Sequence, residues 1–330
     1  MVRADLLKKL FSSFKRDDRE MFYKIANEMI EDERKKNHGI LADDLKLILN
    51  GNYQSKRNMS SFATNTTKNS DKDAPLVEVI YPDKYFCDLI TTDEKIIQLE
   101  TIIKEFNNWD ILVSNGVFPS RRLLFFGPPG CGKTLAAQSI AGELGLPLLY
   151  VRFDAIISSY LGETASNIRK IFEYAKNDNW VIFFDEFDAI GRSRNDQSEH
   201  GEIKRVVNAF LQQIDNYRGR SLIIAATNYE KSLDYAIWRR FDETIQFDMP
   251  TENEKLKLFS LKMKKFKGPN HALEEYLENL KLFSHSDIER ISQIIMKKCI
   301  LDGEKMYTKK DIESAVKKQE KIVDLRKTQY

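Results

Sequence analysis

The chain has 330 residues, with 52 Lys and Arg against 50 Asp and Glu. That length suffices for two domains with ordinary apolar cores, and the balanced charge argues against a whole-surface basic field for nucleic acid. Three scattered cysteines (Cys87, Cys131, Cys299) fit a reducing, cytoplasmic setting, and no apolar run is long enough for a bilayer span or a signal peptide.

In chain order, residues 1–52 read as a small helical module. Leu6, Leu7, Leu10, Phe11 and Phe14 follow the three-and-four spacing of one helix face. Asp17 and Glu20 suggest the start of a second helix, which carries Met21, Phe22, Ile25, Met29 and Ile30 inward. A shorter apolar segment runs from Ile40 to Leu49. The module reads equally as a hairpin packed on its own chain or as an adaptor for a partner. Residues 53–75, rich in Ser, Thr, Asn and Lys, lack the apolar groups to offset ordering entropy and read as a flexible linker. A tether of that kind favours the adaptor.

Residues 76–250 read as α/β. Apolar runs end at Phe126, Phe153, Phe184 and Thr227, separated by helix-period segments. One of these carries Ile203, Val206, Val207, Phe210, Leu211 and Ile214 on a single stripe. Such alternation predicts a parallel sheet covered on both faces. From 251 to 330 strands give way to helices near 252–266, 271–280, 286–301 and 308–325. Ser286 with Glu289 and Thr308 with Asp311 have the spacing of helix starts.

Gly127, Pro128, Pro129, Gly130, Cys131, Gly132, Lys133 and Thr134 follow an apolar run and precede a helical pattern. Glycines at these spacings let successive backbone N–H groups face phosphate oxygens, and the next helix adds its positive end. Lys133 would then reach the β- and γ-phosphates and Thr134 would ligate Mg²⁺. Cys131 reads as a small loop residue, with a redox role as the lesser alternative. The run Val181–Phe184 ends in Asp185 and Glu186, one suited to the water shell of Mg²⁺ and the other to polarising an attacking water. Asn228, after a further apolar run, offers a neutral amide for the γ-phosphate or that water.

The segments GPPGCGKT, FFDEFDAIGRSR, AATN and AIWRRFDETIQF, in that order and spacing, resemble the AAA ATPases from about Asp88 to the C-terminal helices. The resemblance implies a P-loop NTPase sheet with a C-terminal helical lid, ATP and Mg²⁺ as cofactors, and a homo-oligomeric ring, a hexamer. It implies that Asn228 is a polar sensor and that Arg239 and Arg240 are arginine fingers serving the neighbouring subunit. Their adjacent spacing resembles the microtubule-severing and ESCRT-disassembly branch. Asp88, Leu89 and Ile90 resemble the segment that borders adenine. SHSDIERI resembles the lid motif, with His285 and Ser286 in place of a smaller pair.

Tyr160, Leu161 and Gly162 resemble a substrate-gripping pore loop, and Gly191 to Arg205 reads as a second pore-facing loop or a solvated face. The N-terminal hairpin resembles that of bacterial single-ring AAA ATPases paired with subtilisin-like proteases, and adaptors of the severing ATPases offer a competing analogy. This chain holds no HExxH or GxSxG, so proteolysis would belong to another polypeptide. The expected function is an ATP-hydrolysing motor that remodels or threads proteins. Two alternatives stay open: an ATP-sensing regulatory binder of a partner protease or toxin, and a nucleic-acid-acting ATPase. The filled catalytic positions weigh against the first. Tyr160-Leu161-Gly162 and the near-neutral charge weigh against the second.

Overall fold

The computed structural model describes residues 4–15, 19–35, 42, 45–46, 77–153, 156, 164–176, 178–187, 200–229, 233–269 and 273–327. The expected linker, the pore-loop residues 160–162 and most of the second loop lie outside the described residues, as do Asp17 and most of the segment from Ile40 to Leu49.

Helices α1 (Ala4–Lys15) and α2 (Arg19–Lys35) pack on each other through Leu6, Ile25 and Ile30. The inward stripe is narrower than the sequence suggests. Phe11 is 69% exposed and Met21 44% exposed, because two short helices can cover only one narrow seam of each other.

A six-stranded sheet follows, in the order β1-β3-β4-β5-β2-β6. Its strands are β1 (Val77–Ile80), β2 (Arg122–Phe126), β3 (Leu148–Arg152), β4 (Val181–Asp185), β5 (Leu222–Thr227) and β6 (Glu243–Gln246). Strands β2 to β6 are parallel, and β1 runs antiparallel to β3 at one edge. The four apolar runs form the central strands, as their composition predicts. The edge strands β1 and β6, VEVI and ETIQ, lack an apolar run because each has only one neighbour and an exposed side.

The helices of this layer are α3 (Asp93–Asn107), α4 (Trp109–Ser114), α5 (Lys133–Leu144), α6 (Thr164–Ala175), α7 (His200–Asn216) and α8 (Tyr235–Trp238). Strand periodicity of two divides the core into two layers. Ile182 and Phe184 of β4 join Ile223 and Ala225 of β5 on the face covered by α6 and α7. Val181 and Phe183 join Leu222, Ile224 and Ala226 on the face covered by α3 and α5. The predicted stripe on α7 supplies Val206, Phe210, Leu211 and Ile214 to the first layer. Phe210 meets Phe153, Phe172, Phe184 and Phe187, and truncating one such ring costs about 3–5 kcal/mol.

Beyond Thr251, helices α9 (Glu252–Met263), α10 (His285–Leu301) and α11 (Lys309–Lys327) enclose their own core of Leu258, Phe259, Ile288, Ile291, Ile295, Ile312 and Val316. Thr251 and Glu254 form the capping box of α9. Thr308 and Asp311 join at the start of α11 as their spacing predicts. Between α9 and α10 the regular element is a 3-10 turn, Glu274–Tyr276, where the sequence suggests a longer helix. Helix α10 also starts differently. Its cap is Ser284, whose Oγ accepts from the Asp287 N–H while the Asp287 carboxylate accepts from the Ser284 N–H and O–H. Glu289, the expected capping partner of Ser286, instead pairs with Lys262 at 2.6 Å.

Candidate nucleotide site

The ends of β2, β4 and β5 lie side by side because β5 pairs with both other strands. In open parallel sheets, ligands gather outside these carboxyl ends. The phosphate loop leaves β2 at Gly127 and enters α5 at Lys133. Gly127 has φ +133°, and a Cβ there would lie 2.1 Å from the Phe247 carbonyl oxygen, so only glycine fits. The Lys133 ammonium is buried and donates to the carbonyls of Gly127 at 2.7 Å and Pro128 at 2.8 Å. It is therefore held directly over the loop.

Thr134, one residue into α5, donates from Oγ1 to Asp185 Oδ2 at 3.1 Å. The other carboxylate oxygen of Asp185 accepts the Glu186 N–H at 2.9 Å. Glu186 is exposed at the strand end and has φ +54°, among the described residues the one non-glycine in the left-handed region. A side chain held there carries backbone strain, a frequent mark of functional positions. Asn228 follows β5 directly, between the strand ends that carry Asp185 and Gly127.

Tyr150 was not singled out by the sequence, where it looks like one more aromatic in an apolar strand. Its hydroxyl donates to Asp185 Oδ2 at 3.0 Å. Burial, followed by the Asp185 charge, pushes its pKa well above the ordinary phenol range, so it remains a donor. The legible signal was parity: Tyr150 alternates with Leu149 and Val151 and so faces the α5 side of the sheet.

At the opposite end, three pieces of chain converge. Leu89 packs in the layer under α5, with its Cδ1 3.7 Å from where a Cβ on Gly132 would lie. Ile90 packs against the helical core beyond Thr251. Asp88 is spent locally, its carboxylate accepting the Tyr85 N–H at 3.0 Å. The Ser286 N–H donates to the Gly130 carbonyl at 3.1 Å, which joins α10 to the phosphate loop. His285 is mostly buried, and neither of its ring nitrogens makes a well-formed hydrogen bond. Burial lowers its pKa, opposed by Glu254 and by the adjacent Ile90 backbone. His285 therefore sits beside the Ile90 backbone and near the glycine loop that Ser286 joins.

Cys131 is a packing residue here. It lies 3.7 Å from the Met249 sulfur, and burial pushes its thiol up to about 11, away from the reactive thiolate.

Arg239 and Arg240 sit in the turn after α8. That turn is anchored by Asp242, which forms a forked ion pair with Arg122 and accepts the N–H groups of Arg121 and Arg122. Arg240 donates to Asp215 and to the Ala236 carbonyl, whereas Arg239 is exposed with its guanidinium 5.0 Å over the Tyr235 ring. The two adjacent arginines therefore differ in freedom, and neither reaches the Lys133 loop through a hydrogen bond of the described residues. No helix among the described residues is long and apolar enough to cross a membrane.

Residues 123–249 match the family model for the ATPase family associated with various cellular activities (AAA). The chain is 41% identical to an uncharacterized AAA family ATPase, y4kL, of Sinorhizobium fredii, over 96% of this chain and 95% of that protein. It is 31% identical to a proteasome-activating nucleotidase of Saccharolobus islandicus, over 75% of this chain and 66% of that protein. In fold it resembles the crystal structure of the FIGL-1 AAA domain, with TM-score 0.61 at 23% identity, covering 74% of this chain and 86% of that one.

Proposed function

The chain belongs to the AAA family of ATPases, and from that premise we propose that it is a ring-forming motor, a hexamer, which spends ATP to remodel or thread proteins. The observation that carries the chemical part is the Thr134–Asp185 hydrogen bond, which ties the phosphate loop to the acidic strand end. In this reading Lys133 exchanges the neutral carbonyls of Gly127 and Pro128 for charged β- and γ-phosphate oxygens, a stronger class of hydrogen bond. Thr134 and Asp185 would hold Mg²⁺. The ion would supply positive charge to offset that of the phosphates. Glu186 orients and polarises the attacking water, and Asn228 hydrogen-bonds the water or the γ-phosphate while staying neutral.

Arg239 and Arg240 act in the neighbouring subunit's site, where they stabilise charge that grows on the transferred phosphoryl group. The exposure of Arg239 and the firm anchoring of its turn by Asp242 support that reach. Leu89, Ile90, His285 and Ser286 hold the base between sheet and lid. Closure of the lid on nucleotide would then move α10 relative to β2, and this motion would drive Tyr160, Leu161 and Gly162 against a polypeptide. The similarity to a proteasome-activating nucleotidase supports a protein substrate. Helices α1 and α2 recruit cargo or a separate protease of the subtilisin class.

Mixing tests the shared site. Rings of Arg239→Ala, Arg240→Ala subunits are expected to be inactive, as are rings of Glu186→Gln subunits. Mixed rings regain turnover, because some interfaces pair an intact Glu186 with intact arginines. Inactive mixtures, or normal turnover by the double arginine variant alone, would refute the shared site. Tyr160→Ala should keep basal hydrolysis and lose ATP-driven unfolding of a bound protein. Equal loss of both would make Tyr160 a packing residue.

A further inference from the structure

Strand β3 reads LLYVR, and Leu148, Leu149 and Val151 are buried in the two core layers. Tyr150 is different. Its ring packs on Phe183 with centroids 5.8 Å apart, on the sheet face that α5 covers. Its hydroxyl extends past the strand end to Asp185 Oδ2, at 3.0 Å. The same oxygen accepts from Thr134 at 3.1 Å, and Oδ1 accepts from the Glu186 N–H at 2.9 Å. An ionised carboxylate offers about four acceptor directions. These donors occupy both directions on Oδ2 and one on Oδ1, so a single direction on Oδ1 is left.

We propose that Tyr150 is a positioning residue for the reaction's metal: its hydroxyl locks the Asp185 carboxylate so that the remaining Oδ1 direction is offered to a water of the Mg²⁺ shell. The proposal rests on the reading of Thr134 and Asp185 as the metal-holding pair. Rotation of an aspartate about its last side-chain torsion is soft and nearly two-fold. With only Thr134 on Oδ2 and the adjacent Glu186 N–H on Oδ1, the carboxylate keeps room to swing about that torsion. Two donors on one oxygen, from a helix and from a strand, remove that freedom. The arrangement costs little, because Tyr150 is half-buried and its ring contact with Phe183 stands without the hydroxyl. Partners that orient a metal-holding carboxylate typically change metal affinity by about 10–100-fold when removed.

Tyr150→Phe deletes only the hydroxyl. In the full chain with bound ADP, Mn²⁺ affinity read by electron paramagnetic resonance should weaken about tenfold or more. ADP affinity measured in EDTA should be unchanged. Asp185→Asn is the control for the underlying reading and should lose metal binding more completely. If Asp185→Asn binds Mn²⁺ like the parent, the metal reading fails and takes the proposal with it. If Asp185→Asn loses the metal while Tyr150→Phe does not, only the role of Tyr150 is refuted. An equal loss of metal-free ADP affinity, or failure of Tyr150→Phe to fold, would assign the hydroxyl to packing and overturn the proposal.

Discussion

At the phosphate end of the site, Lys133 and Asp185 already have partners close by in the fold. Lys133 is held by the Gly127 and Pro128 carbonyls, and Asp185 gathers Thr134, Tyr150 and the Glu186 N–H. At the base end the pieces come from separate cores. Leu89 packs with the sheet, Ile90 and α10 with the lid, and the His285 nitrogens lack well-formed hydrogen bonds. The first end is preorganised, so its chemistry depends on residues that hardly need to move. The second end joins two separate cores, so on the proposed reading nucleotide occupancy and lid posture would be coupled there. A motor of the proposed kind would need both: a rigid reaction centre and a joint that reports on its contents.

The largest effects should come from breaking the rigid end. Lys133→Ala removes a charged donor and is expected to weaken ATP binding by about 100-fold, given about 1.5–3 kcal/mol for each hydrogen bond to a charged group. Calorimetric titration checks this, and near-normal affinity would contradict the assignment. The double substitution Arg239→Ala, Arg240→Ala should lower kcat by about 10³ or more while leaving ATP affinity close to normal. A matching loss of affinity would move the arginines from transition-state to ground-state binding. Gly127→Ala should lower the melting temperature, because a Cβ would meet the Phe247 carbonyl at 2.1 Å and the backbone would resist φ +133°. An unchanged melting curve would mean that the loop can rebuild around an alanine.

Smaller effects belong to the base end. His285→Ala should reduce discrimination between ATP and GTP several-fold and spare the affinity for pyrophosphate. Equal losses for both nucleotides and pyrophosphate would tie His285 to the phosphate end instead. The lowered pKa of His285 also fixes a sign. Below its ordinary value of about 6.5 the unfolded chain binds the proton more readily than the native one, so His285 subtracts stability as pH falls. A His285→Gln chain should lose less stability between pH 7 and 5 than the parent. Identical slopes would show that the buried imidazole titrates normally. The mildest contrast is chemical: at pH 8 a thiol reagent should modify exposed Cys87 and spare native Cys131, whose thiol stays protonated up to about 11.

The rigid end was the more legible in sequence. Glycines, Lys133, Thr134, Asp185 and Glu186 sit in short segments whose spacing alone demands a strand, a loop and a helix. Strand alternation predicted the two-layer core for the same local reason. Tyr150 escaped because its meaning depends on a contact 35 residues away in sequence, between neighbouring strands. The start of α10 escaped because two serines compete for the cap. Ser284 wins by bonding Asp287, and this frees the Ser286 N–H for Gly130. Strands β1 and β6 carry no periodic signal of their own, and only pairing with β3 and β2 defines them. The unequal freedom of Arg239 and Arg240 comes from different partners, the distant Asp215 for Arg240 and the local Tyr235 for Arg239.

In the proposed reading, Glu186 activates water at a centre that binds ATP without its help. Glu186→Gln keeps the size and shape of the side chain and removes the charge that polarises the attacking water. Single-turnover hydrolysis, measured beside equilibrium ATP binding on the same preparation, tests the claim most directly. The expected result is ATP affinity within a few-fold of the parent and a cleavage rate lower by about 10² or more, the range for loss of a general base. Near-normal cleavage by Glu186→Gln, with binding intact, would mean that Glu186 does not activate the water.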